Sequence, residues 1–342
     1  MSNTGSATAT HAKAHSSSKK APNKKWMWAK RILTIAFFIL VPTLLFMLVK
    51  NIEWAEVEQA IRSYSVTTLL LAASIALLSY LVFASYDLVG RHYTGHKLPV
   101  RQVLPLAFVC YAFTLNLTAW VGGIALRFRL YSRLGLEPST ITKILSMSLI
   151  TNWLGYIILA GILFSFRLVD LPEKAKIGET ALQLVGFTLL AVAAFYFWAC
   201  RFSKRRSFHF RSHKIALPKV QLAFIQAALA MLNWSLMGLI IYILMPDKVS
   251  YQTILGILLI SSIAGVVTHI PAGLGVLEAI FISMLNHQVA TGTILAALIG
   301  YRIFYFLIPL AIACIVYLTI ETRAKKMVKN NQLKQPSNTN GH

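Results

Sequence analysis

Two glycine-containing stretches interrupt long apolar runs in this sequence, and each is followed at once by charge. The first reads Trp120-Val121-Gly122-Gly123-Ile124-Ala125-Leu126-Arg127-Phe128-Arg129. The second reads Thr268-His269-Ile270-Pro271-Ala272-Gly273-Leu274-Gly275-Val276-Leu277-Glu278. Pro271 removes a backbone donor and breaks a helix, and Gly273 and Gly275 tolerate backbone angles that other residues avoid. Peptide groups freed at membrane depth are tolerated only where protein or a water-filled cavity covers them. A helix restarting after such a break presents unpaired N–H groups and partial positive charge, which bind phosphate or carboxylate. Arg127, Arg129 and Glu278 in these restarts fit head-group binding or proton relay, because ionisable groups inside membrane segments mark such sites. The plainer reading of the second stretch is a kinked helix whose Glu is protonated and bonded to a neighbour.

Other chemistries find little support. The sequence has no His-Glu-x-x-His zinc motif and no Gly-x-Ser-x-Gly nucleophile elbow. His269 is the one candidate base, and a His at a helix end is more often a structural donor. Cys110, Cys200 and Cys314 sit singly in apolar segments, in neither a metal spacing nor a disulfide framework. No cofactor or metal site is expected.

The elements that must position these residues are membrane helices. Of 342 residues 57% are hydrophobic and 13% charged, and several apolar runs reach the ~20 residues that cross a bilayer. They lack the period-two alternation of barrel strands. The net charge of +22 lies in tails and loops beside spans, so cytoplasmic retention explains it better than nucleic acid does. Residues 1–31 form a basic cytoplasmic tail expected to be disordered, residues 32–320 a single transmembrane domain, and residues 321–342 a second basic, disordered cytoplasmic tail. Full spans are expected at Ile32–Val49, Val66–Val89, Ile144–Phe166, Ala181–Cys200, Val220–Met245 and Ile294–Ile320. Arg302 lies inside the last of these, with Pro309 as its kink. Asn51–Tyr64, with Glu53, Glu56 and Glu58 beside Trp54, reads as an external interfacial helix. Asp87 and Arg91, four apart on one helical face, read as a solvated interfacial ion pair, with a transport role as the alternative. Ser148, Asn152, Gly155 and Tyr156 form a polar stripe that suits either tight helix packing or a cavity lining.

Charge arithmetic decides the topology. If Val103–Val121 simply crossed, the loop holding Arg201, Lys204, Arg205, Arg206, Arg211, Lys214 and Lys219 would lie outside, against the positive-inside rule. A re-entrant hairpin over Val103 to about Gly135, turning at Gly122-Gly123, returns this loop to the cytoplasm. The basic C-terminal tail likewise requires Gln252–His287 to return to the side it left, as a second hairpin or as two short spans. The ten residues Val276–Leu285 are too few to cross and favour the hairpin. The expected fold is all-α and polytopic, with about six full spans plus two re-entrant broken-helix hairpins. Thr118 precedes Gly123 by five residues, as Thr268 precedes Gly273. With opposite insertion this suggests an inverted repeat with a midplane site. A charge at the bilayer centre costs ~2.5–3.5 kcal/mol, so these groups must pair. Arg127 is expected beside Glu278, with Arg302 as the competing partner.

The run Trp120–Leu136, the block Thr151-Asn152-Trp153-Leu154-Gly155-Tyr156 and the stretch His269–Glu278 resemble conserved blocks of the lysylphosphatidylglycerol synthase transmembrane-region family. The resemblance extends from about Trp26 to Lys326. It implies a lipid-translocating membrane domain of the bacterial inner membrane, best supported in bifunctional members that make and flip aminoacylated phosphatidylglycerol. This sequence departs from those members: only a short tail follows the last span, where they carry a soluble aminoacyl-transferase domain, so lipid aminoacylation is not expected.

Three function classes follow. The first is a lipid flippase or transporter acting on anionic or amino head groups. Its site comprises Gly122, Gly123, Arg127, Arg129, Asn152, Pro271, Gly273, Gly275, Glu278 and Arg302. The second, with least support, is an intramembrane enzyme. The third is a non-transporting scaffold or partner of a lipid-synthesis enzyme.

Overall fold

The computed structural model describes residues 54–117, 123–170, 178–203, 207–210, 213–245, 249–268, 270 and 273–320, all within one compact unit, Leu48–His342. The expected span Ile32–Val49, both tails, and Gly122, His269 and Pro271 lie outside the described residues. The helices are α1 (Trp54–Arg62), α2 (Val66–Thr94), α3 (Val100–Asn116), α4 (Leu126–Arg133), α5 (Pro138–Ser165), α6 (Glu179–Phe202), α7 (Val220–Leu244), α8 (Tyr251–Thr268) and α9 (Val276–Leu285). The last, α10, opens as Thr291–Arg302, passes through a π-turn at Ile303–Leu307 and continues to Ile320.

Local sequence accounts for several ends. Ser65 caps α2, its Oγ accepting the Thr68 N–H at 3.1 Å. Gly95 closes the same helix at φ 70°, its N–H returning to the Arg91 carbonyl, the left-handed termination that glycine permits. Pro138 opens α5, where its missing N–H leaves no intrahelical bond unmade.

Among the described residues, six helices are long and apolar enough to cross a membrane: Val66–Thr94, Pro138–Ser165, Thr180–Phe202, Val220–Leu244, Tyr251–Thr268 and Thr291–Ile320. Five match expected spans. The sixth is α8, which the sequence reading placed in a hairpin limb; with 18 residues it is itself of spanning length. By contrast α3, with 17 residues, and α9, with ten, fall below it. The loop after α6 also departs from an all-helical reading. Ser207–Phe210 and His213–Ala216 pair antiparallel, Phe210 opposite His213. Ser207-Phe208-His209-Phe210 alternates polar and aromatic residues, a strand pattern that attention to basic charge alone overlooked.

The centre of the bundle is α7, which packs against α2, α5, α8 and α10, while α2 also packs on α3 and α5. On the periphery, α6 rests mainly along α5. Only 11% of its most apolar window is buried, against 61% for α5. Leu184, Phe187, Phe195 and Trp198 are exposed on it, a surface suited to acyl chains. Two glycines set helix approach. A Cβ on Gly155 of α5 would lie 2.3 Å from Ala230 Cβ and 2.5 Å from its carbonyl carbon, both on α7. Gly155→Ala is therefore expected to lower stability by about 1–3 kcal/mol, read as a reduced unfolding midpoint in detergent. Gly265→Ala is the contrast, because among the described residues the nearest neighbour of a new Cβ would be the Gly273 Cα at 3.7 Å, and no loss is expected. In the remainder of the polar stripe, Ser148 and Gly155 are buried, Tyr156 OH donates to the Leu259 carbonyl at 3.0 Å, and Trp234 Nε1 donates to the Asn152 carbonyl at 3.2 Å. These contacts favour the packing explanation of the stripe.

Candidate functional sites at two internal ion pairs

The second break builds a compact polar site. Gly273 and Gly275 both adopt left-handed backbone, φ 57° and 79°, which admits Gly at little cost. They turn the chain into α9, whose first turn carries Glu278. Glu278 Oε2 accepts the Gly275 N–H at 2.9 Å, so the acid caps the helix that bears it. From α10, Arg302 Nε donates to Glu278 Oε1 at 2.5 Å and Nη2 donates to Oε2 at 3.0 Å. The same Nη2 reaches the Gly273 carbonyl at 3.3 Å, and the guanidinium stands 5.6 Å from the Phe306 ring. Side-chain exposure is 14% for Arg302 and 11% for Glu278, so the pair is shielded yet not sealed.

The second ion pair joins α4 to α2. Arg127 donates to Asp87 through Nη2 at 2.8 Å and Nε at 3.3 Å, a bidentate grip. Tyr131, one turn beyond Arg127, donates its hydroxyl to Asp87 Oδ2 at 2.8 Å. Side-chain exposure here is 5% and 0%.

Arg127 and Glu278 therefore do not meet. Each is bonded elsewhere, and Arg302, the competing candidate, holds Glu278. The error lies with Asp87. Its spacing to Arg91 suggests a solvated pair, but Asp87 is fully buried, and Arg91 Nε instead donates to the Leu98 carbonyl at 2.7 Å. A buried carboxylate requires a counter-charge and filled lone pairs, and Arg127 with Tyr131 supplies both. Their spacing of four residues on one helical face was the available signal.

The other expected residues are dispersed. Gly123 begins the helical stretch that leads into α4, and a Cβ there would lie 3.3 Å from Thr114 Oγ1. Arg129 is exposed, 6.0 Å from the Tyr317 ring of α10. Asn152 is half-buried on α5. Gly122 and Pro271 lie outside the described residues. No group of three or more His, Cys, Asp or Glu suited to a metal occurs among the described residues. Sequence reasoning missed Asn116 and Tyr305, which meet Tyr80 at the π-turn of α10; Pro309 was the clue.

Long apolar helices, a lipid-facing periphery and charges held internally in pairs define a polytopic helical membrane protein. Residues 31–313 match the family described as lysylphosphatidylglycerol synthase TM region, and the chain belongs to that family. Over 309 residues it is 48% identical to "Inner membrane protein YbhN" of Escherichia coli (strain K12), covering 90% of this chain and 97% of that protein. Over 265 residues it is 28% identical to "Uncharacterized protein slr0712" of Synechocystis sp., covering 76% of this chain and 81% of that protein. The three resembling blocks all lie within the family match.

Proposed function

We propose that this chain is an inner-membrane lipid transporter of phospholipid type, with both termini cytoplasmic and its head-group path at the two broken helices. The observation that carries the reading is the Glu278–Arg302 pair, which sets both signs of charge beside a left-handed glycine turn. Its depth supports the reading. Arg302 lies eleven residues along α10 from Thr291, about 16 Å at the helical rise. Glu278 lies seven residues from Leu285, about 10 Å. With the turn between α9 and α10 at one interface, the pair falls well inside a ~30 Å hydrocarbon core. In this reading α8 and α9 form a re-entrant hairpin, α3 and α4 form its inverted counterpart, and the site lies near the midplane.

The ion pairs also revise which residues meet substrate. Arg127 is neutralised bidentately and sealed, so it holds the bundle together. Arg302 takes an anionic phosphate as Glu278 is released to an amine or a proton. Membrane potential contributes ~2.3 kcal/mol per charge per 100 mV, enough to bias a charged head group. The family description supports a lipid-related function, and the Escherichia coli relative, an inner membrane protein, supports the location.

A second reading is a non-transporting scaffold for a lipid-synthesis enzyme. It is favoured by the saturation of both pairs, which suits packing alone. Lipid translocation in proteoliposomes separates the two, using head-group-labelled anionic, zwitterionic and amino lipids. Flipping that both Glu278→Gln and Arg302→Ala abolish, in folded protein, is the expected result. Absence of flipping for every lipid, with and without a proton gradient or potential, assigns the scaffold role.

A further inference from the structure

Pro309 sits inside α10 and has no N–H to donate. The carbonyl it would have bonded is that of Tyr305, four residues earlier. The helix widens there into the π-turn Ile303–Leu307, with the Ile308 N–H returning to the Ile303 carbonyl. Side chains from two other helices bond the carbonyls of this turn. Tyr80 OH of α2 donates to the Tyr305 carbonyl at 2.9 Å, taking the role of the missing proline donor. Asn116 Nδ2, on the last residue of α3, donates to the Phe306 carbonyl at 3.2 Å. The Tyr305 hydroxyl is tied in as well, 2.9 Å from Ser79 Oγ and 2.8 Å from Tyr111 OH. Since Ser79 donates to Asn233 Oδ1, Tyr305 donates to Ser79 and accepts from Tyr111. One residue before the turn, Arg302 grips Glu278 and the Gly273 carbonyl. Within five consecutive residues of α10, Phe306 thus bonds the end of the helix before the first break and Arg302 the first turn of the helix after the second.

We propose that the π-turn of α10 is a mechanical link between the two breaks, with Asn116, Tyr80 and Tyr305 as its positioning residues. Closing the π-turn into regular helix rotates Arg302 relative to Phe306 by about 100° and shifts it by about 1.5 Å, so the Arg302 and Asn116 bonds cannot both persist. Loss of contact at one break favours loss at the other, and such coupling is reciprocal. Single π-turns of this kind inside α-helices recur at functional sites. The link is independent of what the protein transports.

Hydrogen–deuterium exchange of the full chain in lipid nanodiscs tests it. Asn116→Ala is expected to accelerate exchange about tenfold, the scale of one buried hydrogen bond, at residues 273–279 as well as at 112–117. Glu278→Gln is likewise expected to accelerate exchange at residues 273–279 and, through the link, at 112–117. Gln226→Ala breaks the Gln226 bonds with Thr151 and Tyr196, and is expected to leave both breaks unchanged. Pro309→Ala restores the donor, so exchange at 303–309 should slow while that at 273–279 quickens. Effects confined to the substituted break, or a Pro309→Ala protein with unchanged exchange at 273–279, overturn the proposal.

Discussion

Asp87→Ala should destabilise the protein by about 3–5 kcal/mol, the cost of leaving one member of a buried pair uncompensated. The substitution strands the Arg127 guanidinium, which is 5% exposed as a side chain, and it frees the Tyr131 hydroxyl from its one carboxylate acceptor. Arg127→Ala should cost a similar amount, for the mirror-image reason. The double variant Asp87→Leu, Arg127→Met is expected to recover most of the loss, because a buried pair replaced by packed apolar groups is often neutral or better. Equilibrium unfolding in mixed micelles measures all three, and the matching single variants Asp87→Leu and Arg127→Met complete a double-mutant cycle. An additive double variant would mean that the two residues act separately. A stable double variant that retains transport would confine the pair to holding α4 against α2.

Glu278 carries the second large effect, because two separable bonds end on its carboxylate. Glu278→Gln keeps an oxygen for the Gly275 N–H and loses the charge opposite Arg302. Glu278→Ala loses both. The difference in stability between these variants should be about 0.5–2 kcal/mol, the worth of an N-terminal cap. The common part, from Glu278 to Gln, is expected to be smaller than the Asp87 effect because Arg302 is more exposed and retains the Gly273 carbonyl. Transport should not divide in this way. Under the proposed transporter role both variants are expected to be inactive, since there the charge and not the cap would meet the head group. Activity in Glu278→Gln would assign the acid to structure alone.

Much of the helical plan was legible. The apolar runs located Val66–Thr94, Pro138–Ser165, Val220–Leu244 and the short Val276–Leu285 with small errors. Those errors have a common origin: hydropathy marks the lipid-covered length, whereas helices run on into polar flanks until a cap such as Gly95 or Pro138 ends them. Pairing was less legible than position. The spacing of Arg127 and Tyr131 shows one helical face, but nothing local names Asp87, 40 residues distant, as the group that face meets. Arg302 could be weighed as a partner for Glu278 because apolar sequence leaves a buried charge few choices. The π-turn illustrates the same limit, since Pro309 announces a missing donor while Tyr80 and Asn116, which answer it, lie on other helices.

The separation of charge partners along the chain bears on how the protein is made. Asp87 emerges 40 residues before Arg127 and Glu278 emerges 24 before Arg302. At a ribosomal pace of roughly 5–20 residues per second, each acid waits about one to eight seconds for its base. During that interval a ten-residue α9 can neither span the bilayer nor neutralise its carboxylate. Biosynthesis therefore favours late entry of α9 from the translocon, jointly with α10, whereas α6, apolar and lightly held by its neighbours, can partition alone as soon as it is complete.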